Sequence, residues 1–161
     1  VFFLPQLMAS AEAVKAGFDL IRDHTQAAAS APGTTNAAGD RAIIVATVQG
    51  DIHDIGKNIV KMLLENYGFT VIDLGRDVAP EAVLAAARDT RARLIGLSAL
   101  MTTTVGAMER TIQLIHEQLP GTAVMVGGAV ITQEFADQIG ADFYAKDAAA
   151  STRVASAFFD D

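Results

Sequence analysis

Residues 42–60 read AIIVATVQGDIHDIGKNIV, and their pattern decides the fold. AIIVATV (42–48) is an unbroken apolar run, rich in β-branched residues and of the length of a buried strand. A strand that is apolar on both faces belongs inside a parallel sheet covered by helices. After a short polar loop a helical pattern follows over roughly 56–67.

The same alternation continues to the end of the chain. TVIDL (70–74), RLIGLSAL (93–100), TAVMVGG (122–128) and DFYAK (142–146) read as further strands. Helical patterns separate or follow them at 80–89, 105–118, about 130–138 and about 148–158. Strands and helices in alternation predict an α/β fold, a doubly wound five-stranded parallel sheet. With right-handed crossovers its strand order is 2-1-3-4-5, the flavodoxin-like (Rossmann-like) arrangement. Ligands of such sheets bind at the carboxyl ends of the strands, so the loops after the first, third and fourth strands carry the functional expectation.

Upstream, Leu7, Met8, Ala11, Val14, Phe18 and Ile21 recur at helical spacing and mark one amphipathic helix within 1–26. Residues 27–40, AAASAPGTTNAAGD, are small, aperiodic and Gly/Pro-containing, and read as a linker. The expected organisation is therefore helix 1–26, linker 27–40 and α/β domain 41–161. The chain starts at Val1 rather than Met, which suggests a piece of something longer.

Of the 161 residues, 51% are hydrophobic and 19% charged, and none is cysteine. Disulfides, thiolate metal sites and cysteine nucleophiles are thereby excluded, and a cytoplasmic location is expected. The formal net charge of −7 argues against nucleic acid as a partner, since phosphate backbones require a basic face. No apolar run reaches membrane-spanning length, so no membrane association is expected.

The loop after the first strand concentrates the chemistry. Gly50, Asp51, His53, Asp54, Ile55 and Gly56 lie where His53 falls at the carboxyl edge of the sheet. An imidazole there can bind a metal through one ring nitrogen while the other donates to a carboxylate, for which Asp51 is the nearest candidate. Gly50 and Gly56 allow tight turning and close approach of a large ligand. The plainer alternative is that Asp51 or Asp54 caps the following helix and His53 is a surface residue. Zinc fits poorly, because His24 and His116 show no ligand spacing. A lone protein nitrogen suggests a metal that arrives with its own equatorial ring.

These residues resemble the cobalamin-binding domain of methyl-transfer proteins. GDIHDIGKNIV is similar to that family's D-x-H-x-x-G signature, Ser98-Ala99-Leu100 to its S-x-L element and Gly127-Gly128 to its double glycine. The resemblance implies a cobalamin cofactor, methylcobalamin in the working cycle, held base-off with His53 as lower axial ligand to cobalt. It implies that Ser98 bonds the buried tail base, that Leu100 and Thr102 add to the site, and that a Cβ at Gly127 or Gly128 would block the tail. A hydroxyl six positions after the serine, here Thr104, is implied to complete a His53–Asp51–Thr104 relay, whereas the methionine synthase relatives suggest serine there. The ordinary alternative is that Thr104 caps the next helix. FLPQLMASAEAVK (3–15) is similar to the last helix of the family's helical cap, with Phe3 and Leu7 shielding the upper face.

The implied function is a methyl carrier, with proton uptake through Asp51 as His53 lets go. Methyl-donor and methyl-acceptor methyltransferases are the implied partners, and a reductive activator is a further one. Two alternatives stay open. An adenosylcobalamin-dependent mutase domain shares D-x-H-x-x-G but typically reads D-G-H-D-R-G, unlike Asp51–Gly56. A cobalamin-sensing regulatory module would use the same fold as a switch.

Overall fold

The computed structural model describes residues 41–160. The expected helix 1–26, with Phe3 and Leu7, and the linker 27–40 lie outside the described residues.

Five strands, β1 (Ala42–Thr47), β2 (Thr70–Asp73), β3 (Leu94–Ser98), β4 (Ala123–Gly127) and β5 (Phe143–Tyr144), form one sheet in the order β2-β1-β3-β4-β5. Every pairing is parallel. The helices are α1 (Ile55–Asn66), α2 (Pro80–Thr90), α3 (Val105–Gln118), α4 (Gln133–Gln138) and α5 (Ala148–Asp160). This is the expected flavodoxin-like sheet. All six residues of β1 are buried, because the strand lies inside the sheet, between β2 and β3, and is covered on both faces.

Strand alternation divides the core in two. Ile44, Ala46, Ile95, Leu97, Val124 and Val126 face one layer, where Val83 and Leu84 of α2 and Met108, Ile112 and Ile115 of α3 meet them. Ile43, Val45, Leu94 and Met125 face the other, against Val60 and Leu64 of α1 and Ala150, Ala155 and Phe158 of α5. Connections after β1 and β3 thus leave toward opposite faces, and a crevice opens between them at the strand ends.

Most strands and one helix are shorter than their sequence patterns, and for three elements the cause is visible. β3 stops at Ser98 because the N–H groups of Leu100 and Met101 turn to the Asp51 carboxylate instead of a neighbouring strand. α4 starts only at Gln133, since Thr132 caps it by accepting the Phe135 N–H at 3.2 Å. β5 keeps two residues because it is an edge strand paired only through Met125 and Val126 of β4.

Candidate functional site

Asp51 is the centre of the loop between β1 and α1. It is fully buried, and its carboxylate gathers five donors from three segments. Oδ1 accepts the His53 backbone N–H at 3.0 Å and stands 2.8 Å from His53 Nδ1. Oδ2 accepts Leu100 N–H at 2.7 Å and Met101 N–H at 3.2 Å, and lies 3.0 Å from Thr104 Oγ1. Burial alone pushes the Asp51 carboxyl up. The bonds from Leu100, His53 and Thr104 outweigh burial and hold it well below the usual carboxylate range.

An ionised carboxylate only accepts, so the proton of the ring sits on His53 Nδ1. Nε2 therefore carries the free lone pair, on a side chain that remains 45% exposed at the sheet edge. Among the described residues no group of three or more His, Cys, Asp or Glu could hold a metal ion. A metal at Nε2 would find no ready-made set of further side-chain ligands among the described residues.

The capping alternatives do not describe these residues. Asp54 occupies the position before α1 but makes no side-chain capping bond, and Thr104 makes none at α3. Thr104 Oγ1 instead has Asp51 Oδ2 and the Met101 carbonyl, at 2.8 Å, as its two acceptors, which share one proton.

Beside His53 a groove of about 600 Å³ runs between the sheet and helices α1 and α5. Its floor follows the strand register, with Val45, Gly96 and Met125 side by side and Ser98 beside Gly127 in the next row on the same face. Asp54, Ile55 and Gly56 form part of one wall, and Ala148 and Ser151 part of the other. Ser98, Leu100, Gly127 and Gly128 all line this groove. Thr102 does not; it is exposed on the 3-10 turn Thr102–Thr104.

The glycines divide by cause. Gly50 has φ +85, a left-handed turn that brings Asp51 under the sheet edge. At Gly127 and Gly128 the chain itself already forbids a side chain: a Cβ would come 2.8 Å from the Ala145 carbonyl oxygen and 1.9 Å from that of Ala99. The obstruction expected at these positions is thus first an obstruction of the chain's own loops. Gly56 is the opposite case, since a Cβ there meets nothing within 4 Å. Nothing in the described fold fills that space.

Several groove residues escaped the sequence reading. Gly96 and Met125 of the floor lie within expected strands and Lys57 within an expected helix, with no local feature that marks them. Lys57 is buried in the wall, its Nζ 2.6 Å from Asp73 Oδ1. Arg76 and Lys146 add positive charge to the lining. Only the parallel register brings these positions together, and no local spacing signals it.

Comparison with known proteins gives one consistent result. The family of B12 binding domains matches residues 41–155. Dimethylamine corrinoid protein 1 of Methanosarcina mazei is 43% identical over 148 residues, spanning 91% of this chain and 66% of that protein. Trimethylamine corrinoid protein 2 of the same organism is 43% identical over 162 residues, spanning 95% and 70%. The chain thus spans about two thirds of the length of these relatives. Among solved structures, the methanol:cobalamin methyltransferase complex MtaBC from Methanosarcina barkeri superposes with a TM-score of 0.73 at 34% identity. That match covers 99% of this chain and 59% of the other. A CheY-like receiver domain from Methanospirillum hungatei, at 16% identity and TM-score 0.57, shares the fold alone.

Proposed function

We infer the function from one premise: the chain belongs to the family of B12-binding domains. On that premise its cofactor is a corrinoid, and its proposed role is that of a methyl carrier between methyltransferase partners. The observation that carries this reading is the buried Asp51 carboxylate bonded to His53 Nδ1, which leaves Nε2 free beside the groove.

The residues present suit the cofactor. Ile52 and Ile55 are 61% and 77% exposed and Leu100 42%, an apolar surround for His53 that a flat macrocycle would cover. The open side of Gly56 and the apolar floor of Val45, Gly96 and Met125 leave room for a bulky substituent below it. When bound, a corrinoid supplies a cobalt centre that accepts and gives up a methyl group.

The protein's part is binding, orientation and proton placement. His53 Nε2 would ligate the metal, and Asp51 fixes the ring's tautomer. Thr104 and the Leu100 and Met101 N–H groups fix Asp51 in turn. Ser98, at the floor, would bond a polar edge of the buried substituent. Proton uptake on release of Nε2 is proposed to pass through the His53–Asp51 pair.

The proposed partners are methyl-donor and methyl-acceptor methyltransferases and a reductive activator. The relatives carry corrinoid-protein names for dimethylamine and trimethylamine, so small methylated amines are the proposed methyl source. Among the described residues no helix is long and apolar enough to cross a membrane, and the proposed setting is the cytoplasm.

The test is reconstitution with methylcobalamin and comparison of visible spectra with a His53→Gly variant. A histidine-ligated spectrum in the parent that becomes base-off in the variant supports the reading. Loss of all corrinoid on desalting the parent refutes it. Identical base-on spectra would refute histidine ligation and leave the cofactor's own base in place.

A further inference from the structure

The Gly50–Asp51 dipeptide, which brings His53 to the sheet edge, is gripped on two sides. From the segment after β3 come the donors of Leu100, Met101 and Thr104, all directed at the Asp51 side chain. From the turn after β2 comes Asp77, and its contacts go to the main chain. The Asp77 N–H donates to the Asp51 carbonyl at 3.0 Å, and Asp77 Oδ1 accepts the Gly50 N–H at 2.7 Å. These two bonds bracket Gly50 and Asp51 reciprocally.

Asp77 makes this contact in a strained conformation. Its φ is +54, and besides Arg91, at the end of α2, it is the one positive-φ non-glycine residue among those described. Left-handed backbone is sterically unfavourable for an L residue, and Asp and Asn tolerate it best. Such a conformation persists where the surroundings over-determine it. Here they do: Thr47 N–H donates to the Gly75 carbonyl at 2.9 Å and Val78 N–H to the Thr47 carbonyl at 3.1 Å, tying the turn to the end of β1 on either side of Asp77. Asp77 is exposed and does not line the groove, so its side chain has no part in enclosing a ligand there.

We propose that Asp77 is a positioning residue: its carboxylate and N–H clamp the Gly50–Asp51 dipeptide and so set the direction in which His53 presents Nε2. The proposal rests on the reading of His53 as the cofactor's ligand, and it adds a residue that makes no contact with the groove. Bonds to Asp51's side chain fix where the carboxylate sits. The clamp fixes the backbone from which both Asp51 and His53 spring.

Three variants of the full chain separate the clamp from general stability. Asp77→Asn keeps an acceptor and tolerates the conformation. Asp77→Ala loses the acceptor and keeps the strain. Asp77→Gly loses the acceptor and relieves the strain. In the ligand-free protein, exchange of the Gly50 amide should accelerate roughly tenfold in the Ala and Gly variants, the loss of about one hydrogen bond. Their His53 ring nitrogen signals should move from the Nδ1-protonated tautomer toward a mixture, and Asp77→Asn should match the parent. After loading with methylcobalamin, the Ala and Gly variants should show a larger base-off fraction than the parent and Asp77→Asn. The decisive comparison is Asp77→Gly, in which lost strain offsets lost bonding, so a merely structural role predicts a parent-like ring signal and spectrum. That result would overturn the proposal, as would an Asn variant that behaves like Ala. If the parent itself retains no methylcobalamin, the ligand reading fails, while the ligand-free ring signals still decide the clamp.

Discussion

Lys57 Nζ stands 2.6 Å from Asp73 Oδ1, so the first turn of α1 is tied to the end of β2 by an ion pair whose lysine side chain is 2% exposed. Asn58 Oδ1 accepts from the same ammonium at 2.6 Å, and Lys61 reaches the second carboxylate oxygen at 3.5 Å. Removing the lysine takes away the shortest of the contacts to a half-buried carboxylate and leaves it only the longer Lys61 pair and the Gly75 N–H. Lys57→Ala should cost about 3 kcal/mol in urea unfolding, and the double replacement Lys57→Met with Asp73→Leu much less, because neither charge is then left alone. A Lys57→Ala loss within measurement error would show that water reaches the pair freely.

Acid should weaken the fold through the same aspartate. Burial pushes the Asp73 carboxyl up, but the Lys57 bond, the Gly75 N–H and the charges of Lys57 and Lys61 bring it below its ordinary 3.8. A carboxyl lowered in the folded state contributes stability that is complete above the unfolded value and is lost as pH falls through the folded one. Asp51 has the same sign. Unfolding free energy should therefore be flat above about pH 5 and fall steeply below it. The fall should be shallower in Asp73→Asn, which lacks one of the two groups. Equal slopes in denaturant titrations at a series of pH values would contradict this.

Thr104 offers a graded test of the relay. Thr104→Ser keeps the hydroxyl and should leave the His53 ring signal unchanged. Thr104→Val keeps the shape, removes a donor to Asp51 and should cost about 1–2 kcal/mol in thermal or chemical melts. If valine matches serine in both readouts, the hydroxyl belongs to the Met101 carbonyl alone.

Two glycines should respond in opposite directions to the same substitution. Gly128→Ala drives a Cβ against the Ala99 carbonyl at φ +130, and roughly 4 kcal/mol or more should be lost, enough to show as poor yield or an early melt. Gly56→Ala meets no neighbour inside a helix, so the ligand-free chain should gain up to about 1 kcal/mol. Its methyl enters the space left for the corrinoid, so methylcobalamin retention should drop. A Gly56→Ala protein that is both more stable and fully competent in retention would remove Gly56 from the site.

What could be read in the residue order was whatever depends on neighbours along the chain. The buried run at 42–48 and the four alternations after it were enough for strand order, because crossover handedness leaves few arrangements. Asp51 and His53 are two positions apart, so their pairing was also legible. The offset from Ser98 to Thr104 placed a hydroxyl on Asp51 through the resemblance, and local spacing alone would not have separated that from a helix cap. Lys57 was illegible because lysine on a helix is usually solvated, and its burial depends on Asp73 arriving from another strand. Gly127 and Gly128 stood out as glycines for a different reason from the one the structure supplies. The loops that crowd them, at Ala99 and Ala145, meet them only in the folded sheet. Asp77 gave no signal, since neither left-handed backbone nor a bond to Gly50 can be read from its neighbours.

The exposed Ile52, Ile55 and Leu100 have a consequence for handling as well as for chemistry. They form a sticky margin that water wets poorly, so the cofactor-free chain should self-associate more readily than the loaded one. The net charge of −7 opposes that tendency, most effectively in dilute salt. Loading state and ionic strength, taken together, therefore govern the colloidal behaviour of a preparation.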